Sequence, residues 1–484
     1  MIDWFAAALL VAGFAAIFKK LGLVDKSNQV VSAGRRALGI LGSADMDDRA
    51  KETAMQREAV LLFKLFLILT LGGAAALGLP LGLLYLGDML GFLKLDAALA
   101  TAMSPAFLVA SSALAIAALC LGAGKSQAST AYSGLDRLLH RIAFRTGKAQ
   151  IALADMEDHL FAKQLGACTS ERPVFITALP RAGTTLLLQC LVGAQDFASH
   201  CYRDMPFVLT PCLWSMFSAR FQKESQLRER AHGDGMLVNA DSAEALEEVL
   251  WLNFWDQQYR RDRIIPWERQ EHDEFKEFFR SHMQKIILLR GGGKTPGLRY
   301  LSKNNGNIAR TRLLPQLFPD AVIIIPFRDP LRQAASLLEQ HLNFSRIHEQ
   351  DPFAAEYMLK IGHYDFGRNL RPIDFDGWLD KRASQDARQL PFWLEYWVAA
   401  YRHLLRESRD IVHFLDYQRL CGNPVQSLQA VANIIGMSDP ATLVARAADI
   451  HPERHREPDP GALPAALLHA AAEVYAGLQE AALA

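Results

Sequence analysis

One short stretch, residues 174–191, constrains the fold of this chain more than any other. Residues 174–179 are apolar and partly β-branched, which predicts a buried strand. A proline and a glycine then break the pattern, and Thr184 and Thr185 offer the N-cap of an apolar helix. A strand, a glycine loop and a helix start gather backbone N–H groups, a helix dipole, Arg181 and two hydroxyls around one point. This arrangement predicts a phosphate-binding site, and an ordinary strand-to-helix turn is the alternative.

Length and composition set broad limits on the protein class. The chain has 484 residues, enough for one large domain or two modest ones. Its 52 Lys and Arg residues balance 52 Asp and Glu residues, so no global charge points to nucleic acid as a partner. The 6 cysteines are scattered, without a C-x-x-C motif or zinc-ligand spacing. This favours a reducing compartment and predicts neither a disulfide framework nor a metal.

Long apolar stretches are concentrated in residues 1–124, which we predict to be a membrane region. Residues 60–86 are interrupted only by Lys64, and residues 97–123 carry no charge, so each is long enough to cross a bilayer with some tilt. Residues 4–18 are shorter and lack the features of a signal peptide. Two or three transmembrane helices are therefore expected. Buried core helices of a soluble protein are the alternative, which the length disfavours.

Basic residues predict the orientation of these segments. The sequence before residue 60 and the sequence after residue 124 are both rich in Lys and Arg, whereas the loop between the two long apolar stretches has only Lys94. The positive-inside rule then puts everything after residue 124 on the cytoplasmic side, whether residues 4–18 span the bilayer or lie on it. We expect an integral membrane protein, in the bacterial inner membrane, with a cytoplasmic catalytic domain.

The rest of the chain reads as a linker followed by an α/β domain. Residues 125–168 have an amphipathic helical pattern, suited to a linker along the membrane surface or to packing against the following domain. From residue 169 to 484, strands and helices alternate, which predicts a mainly parallel sheet. Predicted helices are residues 241–255, 307–318, 330–342, 390–407 and 463–482, and predicted later strands are residues 321–327 and 411–415.

A second phosphate-type pattern follows the predicted strand at residues 321–327. Arg328 leaves the carboxyl end of this strand, where open α/β sheets bind ligands, and Ser336 lies two turns into the next helix. The guanidinium group suits bidentate phosphate binding, although an Arg after a strand can also form a surface ion pair. By contrast, residues 291–295 end like a nucleotide P-loop, but Leu288 replaces the first glycine and Pro296 interrupts the helix. We read them as a loop near the site.

Two phosphate-type sites at the ends of two parallel strands imply a ligand with two phosphate groups. In this pairing the chain resembles the sulfotransferases that use 3′-phosphoadenosine 5′-phosphosulfate (PAPS), over about residues 170–440. It is most similar to the branch that contains bacterial sulfotransferases and tyrosylprotein sulfotransferases. The resemblance implies a three-layer, P-loop-like α/β fold for residues 169–484, with PAPS as co-substrate and no metal.

The resemblance also implies roles for individual residues. The 5′-phosphosulfate would be held by the loop residues Arg181, Ala182, Gly183, Thr184 and Thr185. Arg328 and Ser336 would bind the 3′-phosphate, and Tyr417 would lie near the adenine. Lys303, together with Arg181, would neutralise charge on the transferring group. Such a group passes through a loose transition state, in which positioned cations and N–H donors supply most of the catalysis.

The general base is the least determined part of the predicted site. Asp204 is the first candidate, because the related branch places a carboxylate about this far beyond the loop, although that residue is usually Glu. It could instead pair with Arg203 or Arg181. Glu247 or Glu248 is the next option, although a charge run of this kind is typical of a solvated helix face.

These observations together predict a membrane-anchored sulfotransferase. It would move a sulfuryl group from PAPS to a hydroxyl or amine of a membrane-associated acceptor, such as a lipid or a glycan, with the bilayer and this acceptor as partners. A kinase that uses a nucleoside triphosphate is one alternative, for which Asp329 is the candidate magnesium ligand. A non-catalytic membrane scaffold is another.

Overall fold

The computed structural model describes most of the chain and divides it into two compact units, residues 1–129 and 130–484. The described residues are 2–23, 26, 29–30, 33, 48–104, 107, 139–141, 143–144, 147–194, 196–218, 228–229, 237–238, 242–268, 270, 272–292, 297–382, 386–451 and 463–483.

The first unit is helical. It contains α1 (Ile2–Lys20), α2 (Asp48–Met89) and α3 (Leu95–Ala102). In the described residues, one helix is long and apolar enough to cross a membrane: the Arg57–Met89 part of α2. Phe63, Phe66 and many other large apolar side chains of this helix are exposed, as expected for a lipid-facing surface. The predicted second span at residues 97–123 lies mostly outside the described residues.

The second unit contains a parallel sheet with helices on both faces. The strands are β1 (Val174–Ile176), β2 (Phe197–Ala198), β3 (Arg228–Glu229), β4 (Leu237–Val238), β5 (Arg299–Lys303), β6 (Val322–Phe327) and β7 (His413–Asp416). The helices are α4 (Gly147–Leu160), α5 (Ala162–Leu165), α6 (Thr184–Gly193), α7 (Pro211–Ser218), α8 (Glu248–Phe254), α9 (Asp273–Gly291), α10 (Leu314–Leu317), α11 (Pro330–Gln350), α12 (Pro352–Lys360), α13 (Trp378–Lys381), α14 (Leu390–Glu407), α15 (Tyr417–Gly422), α16 (Pro424–Ile435), α17 (Pro440–Val444) and α18 (Ala465–Ala481).

The order of the main sheet is β2-β5-β1-β6-β7, and every neighbouring pair is parallel. The short strands β3 and β4 form a separate antiparallel pair. Phe175 of β1 belongs to one buried apolar cluster, whereas Val174 and Ile176 belong to another. Because successive side chains of a strand point to opposite faces, these two clusters are the two cores of a helix–sheet–helix arrangement. The prediction of an α/β fold with a mainly parallel sheet is therefore confirmed.

Helix α4 lies within the region predicted as an amphipathic linker, and in the structure it belongs to the second unit. Glu157 on this helix is fully buried and forms an ion pair of 3.1 Å with Lys285 of α9. It also accepts a hydrogen bond of 2.6 Å from the backbone N–H of Leu213. Packing against the α/β unit is thus the role of this helix in the structure.

The predicted helix at residues 241–255 is wrong in its first half. The carbonyl of Ser242 accepts a hydrogen bond from Tyr202 N, and Ala243 forms an antiparallel bridge with Cys201, so this backbone is extended. Helix α8 begins only at Glu248. The prediction for residues 307–318 is also too regular, since the structure has a 3-10 helix (Asn305–Arg310) and the short α10 there. Helix α11, predicted to end at residue 342, continues to Gln350.

Candidate functional site

The loop after β1 has a backbone conformation that depends on its glycine. Gly183 has a φ of 93°, and Arg181 has a φ of 70°, so both lie in the left-handed region. A Cβ atom at position 183 would lie 2.3 Å from Cδ2 of Tyr417. Glycine is therefore required here both by the backbone and by the close approach of the tyrosine ring. This turn carries the chain directly into α6 at Thr184.

Helix α11 holds the loop through side-chain hydrogen bonds. The Nε2 atom of Gln333 donates to the carbonyls of Leu179 and Pro180, at 3.1 and 3.0 Å. The Nε atom of Arg181 donates to the Ser336 hydroxyl at 3.0 Å. The two segments that the sequence predicted separately, one after β1 and one after β6, are thus joined by a direct contact.

Four strands end along one edge of the sheet and carry the remaining predicted residues. Lys303 ends β5 and pairs with Ile176 of β1. Arg328 follows the last residue of β6 and Tyr417 follows the last residue of β7, and those two last residues are themselves paired. The guanidinium carbon of Arg328 lies 5.4 Å from the centre of the Tyr417 ring. This is the carboxyl edge of the sheet, where ligands bind in open α/β folds.

A cavity of about 340 Å³ opens beside this edge. Arg181, Thr184, Thr185 and Lys303 line it, together with a largely apolar wall. The other predicted cofactor residues do not line this cavity within the described part of the chain: Ala182, Gly183, Arg328, Ser336 and Tyr417. They lie along the rest of the edge, next to the loop and α11. The predicted residues therefore form one continuous region, of which the cavity is one end.

Asp204 has a structural environment. It is 4% exposed, and its carboxylate forms an ion pair with Arg290. It also accepts the backbone N–H of Cys201 at 2.9 Å, and His200 Nδ1 lies 3.5 Å away. Burial raises the pKa of Asp204, but His200 and the Arg290 charge outweigh this and lower it. Its partner is Arg290 rather than the predicted Arg203 or Arg181, and Asp204 does not line the cavity within the described residues.

Glu248, the second candidate base, is part of a buried ion pair. Both of its oxygens accept hydrogen bonds from Arg310, at 2.6 and 2.7 Å, and further bonds come from Tyr259 and Asn304. The pKa of Glu248 is lowered, because the charge and hydrogen bonds of Arg310 outweigh the effect of burial. The Arg310 guanidinium in turn lies 4.3 Å from the Trp251 ring centre.

Glu247 is equally well satisfied. Its Oε1 atom accepts hydrogen bonds from Trp251 at 3.0 Å and Asn307 at 2.7 Å, and its Oε2 atom accepts one from Tyr300 at 3.1 Å. Glu247 is 1% exposed and Glu248 is 6% exposed, so the alternative that this charge run forms a solvated helix face is wrong for these two acids. Apart from Trp251, their partners lie outside α8, which the local charge pattern did not indicate.

Sequence reasoning missed two acids that line the cavity, Glu244 and Asp365. Asp365 lies in the irregular segment between α12 and α13, where Gly362 and Gly367 both have positive φ angles. Glycines on either side of a mixed aromatic and charged run were the available signal of a shaped, non-helical segment. In the described residues, no group of three or more His, Cys, Asp or Glu side chains is placed to hold a metal ion.

Part of this chain is similar to a known protein family and to solved structures. Residues 173–362 match the sequence model of the Sulfotransferase family, a range that begins just before β1 and includes Arg181, Lys303, Arg328 and Ser336. Sulfotransferase STF9 from Mycobacterium avium is 16% identical, covering 72% of this chain and 83% of its own, with a TM-score of 0.40.

Two further solved structures are similar at lower identity. Sulfotransferase STF1 from Mycobacterium tuberculosis H37Rv is 13% identical over 67% of this chain and 82% of its own, with a TM-score of 0.35. The sulfotransferase domain from the curacin biosynthetic pathway is 12% identical over 63% of this chain and 98% of its own, with a TM-score of 0.29. No curated protein sequence matches the chain significantly. The similarity to the Sulfotransferase family thus covers residues 173–362, which carry the loop after β1 and the segment after β6.

Proposed function

We propose that this protein transfers a sulfuryl group from PAPS to a hydroxyl or amine of a membrane-associated acceptor. The observation that carries the proposal is the hydrogen bond of 3.0 Å between Arg181 and Ser336. It brings a phosphate-type loop and a second strand-end segment into contact, as a donor with phosphates at both ends requires.

The residues present fit such a donor. At Gly183 the Tyr417 ring packs where a Cβ would lie, which brings this ring against the loop. The backbone N–H groups at the start of α6, directly after Gly183, are of the kind that bind phosphate at a helix N-terminus. Arg181 and Lys303 place positive charge beside the same loop. Arg328, against the Tyr417 ring, is suited to the 3′-phosphate, and the tyrosine to the adenine.

Sulfuryl transfer requires positioned charged groups and N–H donors, rather than a side chain that forms a covalent bond to the substrate. By analogy with phosphoryl transfer, the sulfuryl group develops spread negative charge between the attacking and leaving oxygens. Arg181, Lys303 and the N–H groups of the loop would stabilise that charge in place. The acceptor needs, in addition, a group that takes its proton.

The membrane setting rests on α2. Its Arg57–Met89 part is long and apolar enough to span a bilayer, which supports an acceptor that is a lipid or is attached to one. The basic residues that follow residue 124 favour a cytoplasmic catalytic unit. A fluorescent or enzymatic reporter fused after Ala484 should therefore be active in the cytoplasm, and activity on the outer side would contradict this orientation.

The donor can be tested on the full-length protein in detergent. Adenosine 3′,5′-bisphosphate at 100 times its dissociation constant should stabilise the fold by about 2.7 kcal/mol, seen as a higher unfolding temperature. ATP with magnesium should give a smaller shift. Stabilisation by ATP with magnesium and none by the bisphosphate would favour the kinase alternative instead. Binding of neither nucleotide would favour the scaffold.

A further inference from the structure

The cavity beside the phosphate-type loop has an apolar, aromatic wall. Tyr357, Met358, Ile361, Phe366, Leu370 and Trp393 are among its lining residues. Such a wall suits the body of an apolar molecule, while the few polar groups orient its reactive end. Because Arg181 and Lys303 line the same cavity, a molecule bound there would lie beside the charges that act on the transferring group.

Asp365 lines this cavity close to the carboxyl edge of the sheet. Its Oδ2 atom accepts a hydrogen bond of 3.1 Å from Nδ2 of Asn305, which lies two residues after Lys303. The carbonyl of Asn305 in turn accepts a hydrogen bond of 3.3 Å from Thr177, the residue that follows β1. Two hydrogen bonds therefore connect the Asp365 carboxylate, through Asn305, to Thr177 at the carboxyl end of β1, from which the loop continues.

Asp365 also differs from Asp204, Glu247 and Glu248 in what its carboxylate binds. Asp204, Glu247 and Glu248 have both oxygens occupied by strong donors. Within the part of the chain that the structure describes, no hydrogen bond reaches the Oδ1 atom of Asp365. Asp365 is half-buried and lines the cavity, so this oxygen is available to a bound molecule.

We propose, resting on the function proposed above, that Asp365 is the general base for an acceptor hydroxyl carried on an apolar or aromatic body. The hydroxyl gives its proton to Oδ1 of Asp365 while its oxygen forms the new bond to the donor sulfur. The bond between that sulfur and the oxygen of the 5′-phosphate breaks, and adenosine 3′,5′-bisphosphate leaves with the electron pair. The proton passes from Asp365 to water after the products dissociate.

This role predicts that the effect of Asp365→Asn depends on the acidity of the acceptor. The asparagine oxygen can still accept the bond from Asn305, so the loop connection is retained, but the proton acceptor is lost. Transfer from PAPS by the full-length protein would be measured with 4-nitrophenol, 2-naphthol and 1-octanol. Since 4-nitrophenol is far more acidic than the other two acceptors and is partly ionised at neutral pH, its rate should fall about tenfold or less, whereas the rates with 2-naphthol and 1-octanol should fall about 100-fold or more.

Matched variants separate this role from general damage. Glu356→Gln, which removes an exposed charge on α12, should leave all rates unchanged, and bisphosphate binding by Asp365→Asn should equal that of the wild type. Equal losses with all three acceptors would assign Asp365 a structural role and overturn the proposal. Glu244 and His363 also line the cavity. An acidity-dependent loss in Glu244→Gln or His363→Asn but not in Asp365→Asn would move the base to that residue.

The outcome for the wild type distinguishes this inference from the donor assignment. A wild type that binds the bisphosphate but sulfates none of the three acceptors would overturn the apolar hydroxyl acceptor while leaving the donor site intact. A wild type that does not bind the bisphosphate would overturn the proposed function itself.

Discussion

The charged residues of the second unit fall into two groups that the sequence does not distinguish. In the first group, Glu248 with Arg310 and Asp204 with Arg290 are buried pairs whose hydrogen-bonding capacity is used within the protein. In the second group, Arg181, Lys303, Arg328 and Asp365 lie along the carboxyl edge of the sheet, beside the cavity and the loop. Location, rather than residue type, therefore separates the charges that hold the fold from the charges that we assign to a ligand site.

The largest effect should follow from breaking the fully buried pair. Arg310→Met leaves Glu248 charged and uncompensated between α8 and the 3-10 helix that ends at Arg310. Removing one partner of such a pair costs about 3–5 kcal/mol. We expect a large fall in the unfolding temperature of the full-length protein. A variant as stable as the wild type would contradict the assignment of this pair to the fold.

A smaller loss, with a characteristic pH dependence, is expected for Asp204→Asn. Arg290 is 25% exposed, so its charge can be partly hydrated when the partner is lost, and a cost of about 1–3 kcal/mol is expected at neutral pH. Because the folded-state pKa of Asp204 is lowered, its contribution is present above the unfolded value of about 3.9 and disappears as the pH falls through the folded value.

The measurement is the difference in stability between the wild type and Asp204→Asn as a function of pH. This difference should be constant near neutral pH and should shrink below about pH 4. Loss of sulfuryl transfer in Asp204→Asn without any loss of stability would instead return Asp204 to the role of general base.

Substitutions in the second group should weaken ligand binding and should change the stability of the fold only slightly. Arg328→Ala should weaken binding of adenosine 3′,5′-bisphosphate by about tenfold, which is about 1.4 kcal/mol, because one charged phosphate contact is lost. The unfolding temperature without ligand should change little. Unchanged binding together with a large loss of stability would place Arg328 in the first group.

The smallest effect is expected where a pair is exposed. Arg406 is 52% exposed and pairs with Asp376, which is 43% exposed. Solvent screening leaves such pairs worth about 0–1 kcal/mol, so Arg406→Ala should be close to the wild type in both stability and bisphosphate binding. A loss comparable with that of Arg310→Met would contradict the use of burial to rank these charges.

Sequence reasoning was most successful where the signal is local. The helix predicted at residues 390–407 is α14, Leu390–Glu407, and the buried strand predicted at residues 321–327 is β6, Val322–Phe327. The turn after β1 could likewise be predicted from adjacent residues, because its glycine, its threonines and its apolar flanks each specify part of its geometry.

Sequence reasoning failed where a partner is distant in the chain. Glu248 and Arg310 are 62 positions apart, and Asp204 and Arg290 are 86 positions apart. No periodic pattern links such residues, so the burial of these acids and the ion pairs that they form follow only from the folded structure. Asp365 was missed for the same reason, because its place in the cavity depends on Asn305, 60 positions earlier.

The central claim is that the loop after β1 and the segment after β6 together bind the two phosphate-bearing ends of one donor. It is tested most directly by calorimetric titration of the full-length protein with adenosine 3′,5′-bisphosphate and with AMP, which lacks the 3′-phosphate. The account predicts that the bisphosphate binds at least about tenfold more tightly, a difference of about 1.4 kcal/mol. Equal affinity for the two nucleotides would contradict it.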